Sequence, residues 1–180
     1  MFKKILIALV VLIGIFVIVV ATRPSEFRVT RSATIAAPPA IVFGQVNDLH
    51  KWQAWSPWAK LDPAAKNTFE GSPAGTGAKF SWAGNNEVGE GTMTITESRP
   101  NDLVQFRIDF QKPFAATNMA EFTFQPTGEQ TTVNWSMTGK NNFLFKAVGL
   151  FMNCDKMVGD QFEKGLSDLK KIAEAEAAKK

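Results

Sequence analysis

Seventeen consecutive residues near the start of the chain, beginning at Ile5 and closing at Ala21, carry no charged or strongly polar side chain. At about 1.5 Å rise per residue a helix of this length spans roughly 25 Å. That is most of a hydrocarbon layer about 30 Å thick, and snorkelling lysines or local thinning cover the remainder. The β-branched residues of the run do not oppose a helix there, because in lipid the backbone has to satisfy its own hydrogen bonds. The reading adopted is an uncleaved anchor comprising residues 1–23. Two alternatives stand beside it. One is a secretory signal cleaved after Val19-Val20-Ala21, although the run exceeds the roughly 7–15 apolar residues usual for such signals. The other is a buried core segment. No cysteine lies near Ala21, which argues against a lipid-modified N-terminus. Lys3 and Lys4 before the run favour a cytoplasmic N-terminus with the following domain exported; Arg23, Arg28 and Arg31 keep the opposite orientation open.

The anchor leaves residues 24–180, the size of one ordinary domain with its own core. Of 20 Lys and Arg, two precede the run, so 18 basic residues face 17 acidic ones in the rest of the chain. With no dense Lys/Arg cluster, a nucleic-acid partner is not expected. His50 and Cys154 are each the only residue of their kind, and tyrosine is absent. That is a thin inventory for acid–base chemistry near neutral pH. It offers no metal-ligand cluster, and no cofactor is expected. The Gly75-Thr76-Gly77 turn lacks the spacing and the following Lys-Ser/Thr of a phosphate loop.

Beyond Pro24 the apolar period becomes two. Phe27, Val29, Arg31, Ala33 and Ile35 alternate with polar neighbours and predict a strand, which Pro38 and Pro39 end. A short helix follows to about Asn47, with Ile41, Val42 and Val46 inward. Residues 48–63 read as a loop holding His50, Trp52, Trp55 and Trp58, either folded over one end of the core or forming an aromatic lip at a ligand entrance. Strands are then predicted over 66–71, 77–83, 89–98, 103–110, 119–125 and 131–138. The turns at 99–102 and 126–129 make neighbouring strands antiparallel hairpins. A short apolar helix over 143–152 comes next. Last is a long helix presenting Met157, Val158, Phe162, Gly165, Leu166, Leu169, Ile172 and Ala173 on one side, with Asp160–Lys164 and Lys164–Asp168 as charge pairs outside. The fold class is α+β, one antiparallel sheet of six to seven strands covered by one long helix.

Residues 29–43, Asp48, Trp52-Gln-Ala-Trp-Ser-Pro-Trp58, Gly77-Ala-Lys-Phe-Ser-Trp82, Gly89-Glu-Gly-Thr-Met93 and Phe162-Glu-Lys-Gly-Leu-Ser-Asp-Leu169 follow one another in a distinctive order and spacing. On these residues the chain resembles the polyketide cyclase/dehydrase and lipid-transport superfamily, the START-like or Bet v 1-like helix-grip proteins. The resemblance implies a curved sheet gripping the C-terminal helix and a cavity between them that holds a lipid, polyketide or other apolar molecule. It implies no shared catalytic motif, and fold alone does not assign function.

Strand parity and helix phase supply the lining expected of such a cavity: Phe80, Trp82, Met93, Phe106, Ile108, Phe122, Phe124, Trp135, Met137, Met157 and Phe162, with Trp52, Trp55 and Trp58 at its lip. His50 is expected to face solvent or cap the first helix. Glu90, between Gly89 and Gly91, faces inward only if a bulge turns it. These two are the only nameable acid–base candidates, and Cys154 reads as a small apolar contact. The leading expectation is a membrane-tethered binding protein for a hydrophobic small molecule or lipid. The alternatives are a cyclase- or dehydratase-type enzyme on an apolar substrate, and a module docking a partner protein through the tryptophan segment.

Overall fold

A computed structural model describes residues 1–179. Helix α1, Phe2–Ala21, is 20 residues long and leaves nearly all of its side chains exposed. At about 30 Å it is long and apolar enough to cross a membrane. After four residues the chain enters β1 (Glu26–Ile35), then α2 (Pro39–Asn47), a one-turn helix α3 (Trp52–Trp55) and a 3-10 turn at Trp58–Lys60. Six strands follow: β2 (Lys66–Gly71), β3 (Ala78–Ala83), β4 (Glu90–Arg99), β5 (Leu103–Lys112), β6 (Ala116–Thr127) and β7 (Gln130–Lys140). Helices α4 (Phe143–Val148) and α5 (Cys154–Ala177) complete the chain.

The seven strands form one sheet in the order β1-β7-β6-β5-β4-β3-β2, antiparallel throughout. The α+β helix-grip architecture expected from the sequence is the one observed. Strand parity holds along the meander: Val104 and Phe106 of β5, Ala120, Phe122 and Phe124 of β6, and Val133, Trp135 and Met137 of β7 are buried on one face. Register irregularities between β4 and β5 fall at Glu90/Gly91 and Ile95/Glu97.

Helix α5 covers this face. Its inward stripe is Val158, Phe162, Leu166, Leu169 and Ala173, the last four fully buried, and each large member contributes about 1.5–3 kcal/mol through burial. The approach is close because α5 presents glycine to the sheet: a Cβ on Gly165 would lie 2.8 Å from Cζ3 of Trp135 and 3.1 Å from Cδ of Pro57. Arg31, on the inward parity of β1, clamps the first turns of α5, with Nη2 3.0 Å from Asp155 and Nε 2.9 Å from Glu163. Asn153 caps α5 by accepting from Lys156 N at 2.9 Å.

The charge pairs outside α5 differ from those its spacing suggested. Asp160 pairs with Lys156 rather than Lys164, and Asp168 is held by Lys171 at 2.8 Å and by Lys60 of the 3-10 turn. The tertiary partner Lys60 comes from the tryptophan segment, which helical spacing cannot reveal. Hydrogen bonds from Lys171 and then Lys60 hold the Asp168 carboxyl below the ordinary carboxylate range. A lowered folded pKa contributes stability above the unfolded value, near 4, and loses it as pH falls through the lowered value. Asp168→Asn should therefore be less stable than the parent at neutral pH, with the difference closing as the pH falls below about 4. Urea melts across that range test this; a gap independent of pH would refute it.

Candidate functional site

The inner face of the sheet is occupied in two different ways. Over the start of β5, the end of β6 and the start of β7 it is filled by α2 and by the tryptophan segment, which is not a plain loop. Trp52 and Trp55 sit on consecutive inward positions of α3, 5% and 0% exposed. Each indole N–H returns to α2, Trp52 Nε1 donating to Val46 O at 2.8 Å and Trp55 Nε1 to Gln45 O at 3.2 Å. Their rings meet Phe106 and Phe122 edge-on at 5.2 and 6.0 Å. Trp135 lies face to face with Phe162 of α5 at 4.0 Å and with Phe122 at 4.6 Å, and Trp58 closes on it edge-on at 5.8 Å. Ring pairs of this kind add about 0.5–1.5 kcal/mol each beyond their burial.

Over β3 and β4, and over the end of β5 with the parts of β6 and β7 beside it, the same face is left open. A cavity of about 340 Å³ lies there between the sheet, the tryptophan segment and the start of α5. Its size is at the lower end of ordinary small-molecule sites. Phe80 and Trp82 of β3, Met93 of β4, Ile108 of β5, Trp135 and Met137 of β7 and Phe162 of α5 line it, as parity indicated, and Trp52 and Trp58 form part of its wall. Room for the Trp82 ring comes from its cross-strand partner Gly91, where a Cβ would stand 2.5 Å from Cζ2 of the indole. Polar liners are few. Gln53, Asn67, Glu87 and Lys112 are exposed, Asp62 is half-buried and Ser56 is a buried residue.

Five expected liners lie elsewhere. Phe106, Phe122, Phe124 and Trp55 belong to the filled half of the face, where α2 and α3 cover them; Phe124 is met by Phe43 of α2 at 5.7 Å. Parity gives the face of the sheet but not which part of it a helix covers. Met157 is 53% exposed, one residue out of phase with Val158, which does line the cavity. Phe110, Ala120 and Val158 were missed. Ala120 carried a signal, as a methyl on an inward position beside Phe122 leaves space.

Neither acid–base candidate lines the cavity. His50 is exposed, stacks on Phe69 at 4.1 Å and places Nδ1 3.1 Å from Asp48. Glu90 does sit at a register irregularity, yet its carboxylate turns to Lys112 at 2.7 Å. Of the carboxylates that touch the cavity, Asp62 accepts from the backbone N–H groups of Asn85 and Ala64, a structural role, and Glu87 is exposed. Among the described residues no group of three or more His, Cys, Asp or Glu side chains could hold a metal. Cys154 is exposed as the first residue of α5 and is not an apolar contact. Trp135 Nε1 has no hydrogen-bond partner among the described residues.

Comparison with known sequences matches residues 26–174, all but the N-terminal helix and the last few residues, to the family described as polyketide cyclase/dehydrase and lipid transport. The chain belongs to this family. Among solved structures it is similar to protein TTHA0849 of Thermus thermophilus, at 16% identity and a TM-score of 0.60 over 84% of this chain and 99% of that one. Protein CV1439 of Chromobacterium violaceum matches at 14% identity and 0.59, with the same coverage. The Aha1 protein of Colwellia psychrerythraea matches at 14% and 0.59, over 82% and 96%. Identities this low establish the fold alone. No curated protein matches the chain in sequence. The polyketide cyclase/dehydrase and lipid-transport family is associated with hydrophobic ligand binding.

Proposed function

We propose that this protein is a membrane-tethered carrier: residues 1–23 anchor it, and residues 24–180 hold a hydrophobic small molecule or lipid in the cavity between sheet and C-terminal helix. The observation that supports this reading is the cavity of about 340 Å³ walled by Trp52, Trp58, Phe80, Trp82, Met93 and Phe162, with most polar liners at exposed positions. An apolar molecule burying about 300 Å² there would gain on the order of 7 kcal/mol before ordering costs. The burial of Trp52 and Trp55 withdraws two of the three anchors that docking through the tryptophan segment would need. The exported orientation of the domain remains part of the proposal, resting on Lys3 and Lys4.

The test uses the full chain extracted in mild detergent from the membranes in which it is expressed. Native mass spectrometry should show a bound apolar species, and protein stripped of it should take up 1-anilinonaphthalene-8-sulfonate with a rise in fluorescence. Recovery of protein alone, together with no uptake of the dye, would overturn the carrier reading.

A further inference from the structure

A second apolar surface lies outside the cavity. Phe143 and Leu144 of α4, then Phe151 and Met152 in the connection to α5, are all exposed, Phe151 to 81%. Phe114, in the β5–β6 connection, is also exposed and meets Phe145 of α4 edge-on at 5.7 Å. Isolated exposed side chains of this kind are ordinary, whereas a cluster marks a contact surface.

Its position says what covers it. The last turn of α1 is where that helix touches the domain: α4 packs against α1, and Val20 is fully buried while the side chains before it are exposed. Only four residues separate α1 from β1, and Ser25 O accepts from Asn141 N at 2.7 Å, the residue before the Asn142 cap of α4. The apolar cluster is thereby pinned at the level where α1 ends. Arg23 of the link into β1, Lys140 at the end of β7 and Lys146 of α4 belong to the segments that meet here and have no ion-pair partner among the described residues, while Glu26 stands opposite Lys140 in the sheet register. Exposed aromatics beside unpaired cations suit the interface of an anionic bilayer.

We propose that α4, the segment 149–153 and Phe114 form a foot that inserts its apolar side chains into the membrane α1 spans. This rests on the anchored reading above. It also gives the cavity a source of ligand. Pro113 and Lys112 belong to the cavity wall and directly precede Phe114, and Val158 lines the cavity one turn after the start of α5. A molecule dissolved in the bilayer reaches the cavity along the foot without crossing water.

The lone cysteine provides the reporter, since Cys154 is exposed two residues after Met152. The full chain, labelled there with an environment-sensitive nitrobenzoxadiazole dye, is reconstituted into vesicles of phosphatidylcholine and phosphatidylglycerol. Blue-shifted emission, quenched by lipids carrying a nitroxide near the headgroup, is expected. The variant F143S/L144S/F151S/M152S should remain in the vesicle pellet, melt like the parent and lose that quenching several-fold. Protein in the pellet with a water-like dye overturns the foot and leaves the anchor standing. Blue-shifted emission that nitroxide lipids do not quench means a second copy or another protein covers the surface, and also overturns it. Protein absent from the pellet overturns the anchor and the foot together.

Discussion

Trp135→Ala should lower the unfolding free energy by about 3–5 kcal/mol, a large part of the 5–15 kcal/mol a domain usually has. The residue is 2% exposed, its ring stacks on both Phe162 and Phe122, and it couples α5 to β7 and β6. Trp135→Phe separates ring packing from the indole N–H. It keeps an aromatic face for Phe162 and removes a buried donor that has no partner among the described residues. Because an unpaired buried donor is itself costly, the phenylalanine variant should stay within about 1 kcal/mol of the parent. Urea denaturation of the three proteins is the measurement. An alanine variant as stable as the phenylalanine one would show that the stack does not hold helix to sheet.

Ala120→Trp should abolish uptake of an apolar probe while the domain stays folded. Ala120 is buried, lines the cavity and stands between Phe106 and Met137 on the neighbouring strands. At a filled core position an added indole would force its neighbours apart and destabilise the fold by about 1–3 kcal/mol or more. Here it has open space to enter, so the cost falls on the ligand instead. Probe affinity should drop tenfold or more, which is about 1.4 kcal/mol of binding free energy, with a small change in melting temperature. Unchanged affinity with a loss of stability would mean that the cavity is not where the probe binds.

The strands and the long helix were legible because each buries one face only, so that residues such as Val104 and Phe106, or Phe162, Leu166 and Leu169, repeat at the period of their element. The site was less legible, because a cavity is a property of what fails to pack. Phe122 and Met93 share the inward parity, yet α3 covers the first while the second lines open space. Nothing in the strands distinguishes them; the difference comes from where α2 and α3 come to rest, a tertiary outcome. The apolar spacing of α5 takes in both Met157 and Val158 near its start, and only Val158 turns inward. The pairing of Glu90 with Lys112 was hidden for a related reason: it joins residues 22 apart, across the strand pair β4 and β5.

The sheet order has a consequence for how the protein is made. β1 pairs with β7, so that Glu26 finds its neighbour in Lys140, over a hundred positions downstream. The first strand therefore leaves the ribosome long before the strand it needs, and the helix that covers both comes last of all. Pairing at such separation is slow, since loop closure precedes the contacts that reward it. If α1 enters the bilayer as it emerges, the remaining chain waits at the lipid surface with its apolar strands uncovered. The hairpins from β2 to β7 can form during that wait, being local. Closure by β1 and α5 then completes the domain on a chain already confined to two dimensions.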